Sequence, residues 1–192
     1  MRPASAPSVK FTYDDFVNFP HDGMRHEIID GEHFVTPSPN TKHQAVSMNL
    51  TRAFILYLEQ HRHGQLFAAP FDVQFSDLDV VEPDLLYISR ERAGILTDTH
   101  VHGAPDLVVE ILSPGTRKTD EVNKRKLYAR FDVREYWVVD PELDAIKVYR
   151  RVEGTFTRAA ELSSEHDDVL TTPLLPGFSV KLADVFASPF PA

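Results

Sequence analysis

Two acids in this chain sit where a charge is costly. Asp84 follows Pro83 in VEPDLLYI, and Glu110 stands inside LVVEIL, both among residues suited to the interior of a β-sheet. An ionised carboxylate withdrawn from water must be paired, protonated or bound to a metal. If the two strand segments pair in register, their carboxylates meet and can share one hard divalent cation, Mg²⁺ or Mn²⁺. Such an ion polarises a phosphoryl oxygen and makes bound water nucleophilic near neutral pH. Glu27 is a third acid able to complete the set, and a nearby lysine would offset the extra charge of a five-coordinate phosphate or orient the attacking water.

The elements that must bring these residues together are legible in the pattern. Asp30-Gly31 between two β-prone arms predicts a hairpin over 25–36. Its register sets Ile29 opposite Glu32 and Glu27 opposite Phe34, so Glu27 is the acid drawn inward and Glu32 the solvated one. The segment 41–63 carries Val46, Leu50, Ala53, Phe54, Tyr57 and Leu58 at helical spacing, with His61, Arg62 and His63 near its negative end and Gly64 as its stop. Strands are predicted at 65–75, 83–89 and 106–113. In the last, Val108, Glu110 and Leu112 share one side and Leu107, Val109 and Ile111 the other. After the SPGT break, Thr119 caps a predicted helix over 120–131, on which Asp120, Lys124 and Tyr128 form one stripe. EYWVVD and AIKVYRR follow as a strand pair turned at 141–144, then small strands and a short C-terminal helix. The sum is an α/β fold with a mixed sheet, an N-terminal hairpin and small C-terminal strands.

Composition sets wider bounds. The 192 residues suit one domain over 11–186, with a Pro/Ala/Ser-rich lead-in over 1–10 and a loose tail over 187–192. There is no cysteine, so thiolate nucleophiles, disulfides and Cys-bound zinc are excluded, and a cytoplasmic location is compatible. No signal-peptide core opens the chain, and the longest apolar run, Ala53 to Leu58, falls far short of the roughly 20 residues that span a bilayer. A net charge of −9 argues against indiscriminate coating of nucleic acid. The balance reverses locally, since seven basic residues stand against three acidic ones between Arg117 and Arg134.

The segments HEIIDGEHFVTPSP, AAPFDVQF, VEPDLLYI, GAPDLVVEILSPGT, TDEVNKRKLYARFDVREYWVVDP and LPGFSV, in that order, resemble the Uma-type restriction-endonuclease family of the PD-(D/E)xK nuclease superfamily, over roughly residues 11–186. The resemblance implies a restriction-endonuclease-like core and metal-dependent hydrolysis of phosphodiester bonds, with DNA as substrate and a homodimer by analogy. It also implies roles: Asp84 and Glu110 as metal-binding acids, Glu27 as the extra acid of the N-terminal segment, Lys124 as the catalytic lysine. The superfamily's usual lysine position, two after Glu110, is Leu112 here. The family shares that gap and keeps a lysine on the following helix, which Lys124 matches; Lys126 and Lys118 are the fallbacks.

Each residue also has a plainer reading. Asp84 could cap exposed amides at a turn, Glu110 could pair with Lys124 or Arg125 as a structural ion pair, and Glu27 and Lys124 could be solvated. His43 reads as a surface histidine more readily than as a group that places phosphate or water. The pairs His61/His63 and His100/His102 have metal-like spacing without obvious partners. The rival to a nuclease is a catalytically inactive module of the same fold that binds nucleic acid or protein.

Overall fold

The computed structural model describes residues 9–190. The expected lead-in and tail therefore fall partly outside the described residues. In chain order the elements are α1 (Tyr13–Phe16), β1 (Arg25–Ile29), β2 (Glu32–Thr36), α2 (Thr41–Gln60), β3 (Gly64–Ala68), β4 (Val73–Ser76), β5 (Asp79–Val81), β6 (Leu85–Ser89), β7 (Val101–His102), β8 (Leu107–Ile111), a π-helical segment (Thr119–Lys124) running into α3 (Arg125–Arg130), β9 (Glu135–Asp140), β10 (Ala145–Val152), β11 (Thr155–Ser163), β12 (Val169–Thr171), β13 (Ser179–Lys181) and α4 (Leu182–Val185). The larger sheet has the order β11-β10-β9-β8-β6-β3, a smaller one β2-β1-β5-β4-β7, and β12 pairs with β13. The β8–β9 pair is parallel and the other pairs of the larger sheet are antiparallel. The expected mixed α/β architecture is what forms.

The alternation in β8 divides two cores. Leu107, Val109 and Ile111 pack with Val46, Leu50, Phe54 and Tyr57 of α2 and with Trp137. Val108 and Leu112 face the opposite way, toward Val73 and Val81 of the smaller sheet, Tyr128 of α3 and Tyr136. Glu110 shares the side of Val108, so it looks toward the smaller sheet and α3. A parallel β8–β9 pair needs a crossover, and the helical stretch between them supplies it on that same side.

The hairpin forms as read: β1 pairs with β2 with Glu27 opposite Phe34 and Ile29 opposite Glu32. Asp30 and Gly31 both have positive φ, 53° and 76°, as a two-residue hairpin turn of this hand requires. A Cβ at Gly31 would also meet Lys10 Cβ at 2.7 Å, so backbone sign and space both demand glycine. Glu27 is 1 % exposed while Glu32 is open to solvent.

Three boundaries differ from expectation. The single strand read over 65–75 is two strands in different sheets, β3 and β4. Pro70 lies between them, and a residue without an N–H cannot continue a ladder. The α2 helix ends at Gln60, and Gly64 opens β3 instead of stopping the helix. Its reason is close approach, since a Cβ there would lie 2.3 Å from the Ile88 carbonyl oxygen. Thr119 is not a cap either, because helical backbone already begins before it and Asp120 N donates to Thr116 O at 2.9 Å.

Candidate active site

Asp84 precedes β6 and Glu110 lies near the end of β8. The antiparallel register runs Tyr87↔Leu107, Leu86↔Val108, Leu85↔Val109. One further step along that progression sets Asp84 opposite Glu110. Both line one cleft of about 270 Å³, together with Arg25, His43, Asp120 and Lys124. The adjacency expected from the sequence is therefore the adjacency that the sheet produces. The other Pro-Asp pair, at Asp106, belongs to the far end of β8, where it takes Arg134 at 2.9 Å and the Ser89 amide at 2.7 Å.

Asp84 is enclosed by donors. Its Oδ1 accepts from Arg25 Nη2 at 3.0 Å, and its Oδ2 accepts from the Ile111 amide at 2.7 Å and lies 3.2 Å from His43 Nε2. Burial pushes the carboxyl up, but the His43 hydrogen bond and the Arg25 charge more than reverse this and hold it at about 2. Asp84 is thus an ionised carboxylate at neutral pH.

Glu110, Glu27 and Asp120 converge on one ammonium. Lys124 Nζ lies 2.8 Å from Glu27 Oε1, 3.0 Å from Glu110 Oε1 and 3.5 Å from Asp120 Oδ1. Tyr128 donates its hydroxyl to Glu110 Oε1 at 2.5 Å, and the Glu82 amide donates to Glu27 Oε1 at 2.9 Å. Burial opposes the charge on Lys124, yet the carboxylates of Glu110, Glu27 and Asp120 outweigh it and raise the lysine. Glu110 moves well up, through burial first, with Asp120, Asp84 and Glu27 adding to it against the pull of Lys124. Asp120 is also raised, mainly by burial. The stripe of Asp120, Lys124 and Tyr128 is wholly buried, with each of the three at 2 % exposure or less.

The gap at Leu112 is filled as the helix register suggested. Leu112 is buried in the second core, and Lys124 reaches Glu110 from the helix side. The structural ion pair of Glu110 with Lys124 forms, while Arg125 instead lies over the Tyr149 ring, 5.2 Å from its centroid. Glu27, Asp84 and Glu110 were expected to share an ion. Among the described residues, however, no three or more His, Cys, Asp and Glu side chains group as a metal shell. Lys124 stands between Glu27 and Glu110, so the ammonium takes up their facing oxygens.

Three participants were not anticipated. Arg25 is two residues before Glu27 and so on the same side of β1, a signal the hairpin register already contained. It bridges Asp84 and Glu82, the latter through Nε at 2.9 Å. His43 is not a surface residue: it is 6 % exposed, held in the first turn of α2 by the Asn40 cap on its amide at 2.9 Å, and its Nδ1 has no hydrogen-bond partner among the described residues. Asp120 was visible as part of the helix stripe but had no role. Among the described residues neither histidine pair belongs to a group of three or more His, Cys, Asp and Glu side chains, and the His61 ring stacks on Tyr57 with centroids 4.3 Å apart.

The charge count matters for what can bind. Glu27, Asp84, Glu110 and Asp120 are all buried, against the single charges of Arg25 and Lys124. Fully ionised, the four acids would leave two negative charges over in a low-dielectric cleft, and burial with mutual repulsion relieves that excess by pushing Glu110 and Asp120 up. A divalent cation is the charge that would let all four ionise. The donor chemistry also fits, because carboxylate oxygens are the ligands of hard cations, and Mg²⁺ is commonly held by only one or two of them with waters and phosphates completing the shell.

No curated protein matches this sequence. A crystal structure described as a putative nuclease belonging to DUF820, from Anabaena variabilis ATCC 29413, matches with a TM-score of 0.77 over 92 % of this chain and 97 % of that one, at 22 % identity. The fold is thus that of the neighbouring nuclease structure. A family model described as Uma2, putative restriction endonuclease, matches residues 13–183, and the chain belongs to that family.

Proposed function

We propose that the protein is a Mg²⁺- or Mn²⁺-dependent endonuclease that hydrolyses phosphodiester bonds in DNA, acting in the cytoplasm as a homodimer. The observation that carries the reading is the convergence of four buried acids, Glu27, Asp84, Glu110 and Asp120, around only two strongly basic side chains, with Asp84, Glu110 and Asp120 lining one cleft. Asp84 and Glu110 would hold the metal, which when bound supplies Lewis acidity at the phosphate and a more acidic water. Arg25 is placed to neutralise a phosphate oxygen at the mouth of the cleft. Lys124 offsets the charge that grows on the phosphoryl group, and Glu27 and Asp120 hold it there. Glu27 is in this account a positioning residue for the lysine.

Cleavage of single- and double-stranded DNA in Mg²⁺ or Mn²⁺ tests the reading against Asp84→Asn and Glu110→Gln. Each variant should lose activity by about 100-fold or more, the scale of a lost electrostatic partner in a water-poor site. Calorimetry with Mn²⁺ should show binding in the unmutated protein and loss of it in both variants. No cleavage by the unmutated protein, or equal cleavage by all three, sinks the proposal. One observation favours the rival, a non-catalytic module: Arg25 and Lys124 already satisfy most of the acids. Retained Mn²⁺ affinity in both variants together with an inert parent would select that module. Cutting both strands of a duplex asks for paired sites, so sedimentation should give twice the chain mass; a monomer removes the dimer from the proposal.

A further inference from the structure

A second cavity of about 580 Å³ lies beside the acid cleft, within the roughly 300–1,000 Å³ typical of small-molecule sites. Its wall carries the rings of Tyr13, Phe16, Phe19 and Phe71, the histidines His21 and His26 and the acids Asp72 and Glu82, with no lysine or arginine among the described residues. Arg25 links it to the candidate active site, pairing through Nε with Glu82 of this cavity and through Nη2 with Asp84 of the other. Asp72 is fixed by its backbone, whose carbonyl accepts from the Val101 amide at 2.9 Å. Its carboxyl is half-buried and pushed up by that burial, with the His100 charge pulling partly against it, and it accepts no hydrogen bond among the described residues.

These features specify a ligand. Two acids and no permanently charged cation line the cavity, so the phosphate backbone of a nucleic acid is better matched to Arg25 beside it than to the interior. Aromatic walls stack any base face. The half-buried Asp72 carboxyl has no side-chain partner among the described residues and is free to accept a hydrogen bond, and acids accept from exocyclic amines such as cytosine N4. We propose that this cavity takes an unpaired, amine-bearing nucleobase, adenine, cytosine or guanine, from the nucleotide next to the scissile phosphate. The inference rests on the nuclease reading of the neighbouring cleft. Thymine, which has no exocyclic amine and offers only its single ring N3–H between two carbonyl oxygens that an acid repels, is the disfavoured base.

The test uses the full chain in Ca²⁺ with fluorescent hexamers of dA, dC or dT, read by polarisation. The dA and dC hexamers should bind about tenfold tighter than dT, the scale of one good base contact. Asp72→Ala should shrink that gap to about threefold or less, and Phe71→Leu, which keeps an apolar side chain but removes the ring, should weaken all three hexamers alike. Circular dichroism checks that both variants fold. Equal binding of the three hexamers, no binding of any, or an unchanged gap in folded Asp72→Ala overturns the proposal. Cleavage in Mn²⁺ is scored separately. Cutting with no base preference defeats the base pocket alone, and base-selective binding with no cutting defeats the nuclease reading alone.

Discussion

Lys124 shows what a single side chain does here. Its ammonium is the common partner of Glu27, Glu110 and Asp120, and it is 2 % exposed. Removing one partner of a buried ion pair leaves the rest desolvated and uncompensated, at a cost of about 3–5 kcal/mol. Lys124→Met should therefore lose about that much unfolding free energy by urea denaturation in metal-free buffer. Added Mn²⁺ should raise its midpoint more than that of the unmutated protein, because a cation then replaces the missing charge. An unchanged midpoint without metal would show that the acids are neutral or solvated. The hydroxyl of Tyr136 belongs to the same supporting layer, donating to the Asp120 carbonyl at 3.0 Å.

At the scale of elements, the crossover between β8 and β9 does the positioning. Its π-helical opening sets Asp120 and Lys124 on the buried side, and Arg117 ties the start of the crossover to the β9–β10 turn through Asp140 at 2.7 Å. Asp140 also accepts from the amides of Glu142 and Leu143 at 3.1 and 3.3 Å. Burial pushes its carboxyl up, but Arg117 and those amides more than reverse this, leaving it below its ordinary value. A depressed acid contributes stability that is present in full above its unfolded pKa of about 4 and lost as pH falls through the folded value. Melting temperatures of the unmutated protein and Asp140→Asn should differ by a constant amount from pH 7 to about pH 5 and converge below about pH 4. A gap that widens in acid contradicts the sign of the shift. The sequence predicts a plain α-helix there because apolar spacing reports which side is buried and not whether the backbone bonds run i→i+4 or i→i+5; Asp120 and Lys124 still share that side, 3.5 Å apart.

At the scale of the molecule, the larger sheet is shared by two cores, one under α2 and one under the smaller sheet and α3. Adjacent residues of one strand feed both: Trp137 enters the first and Tyr136 the second. Neither core can open without disturbing the strand between them, so residues 11–186 should unfold as one unit. Trp137 fluorescence and far-ultraviolet circular dichroism should give coincident urea transitions. Separated midpoints would divide the chain into two folding units.

The sequence by itself pointed Glu27 in the hairpin and Glu110 in β8 inward, because an alternating strand assigns each residue a face, but it carried no sign of the burial of Asp79, Asp106, Glu135 and Asp140. It also determined that Lys124 shares a helix face with Asp120 and Tyr128. Only the tertiary structure decided what those acids meet. Arg25 on Asp84, His43 turned inward, and Lys124 seated between Glu27 and Glu110 are contacts between segments far apart along the chain, set by how the smaller sheet docks on the larger. Local periodicity says which way a side chain points; the charge it finds there depends on long-range packing.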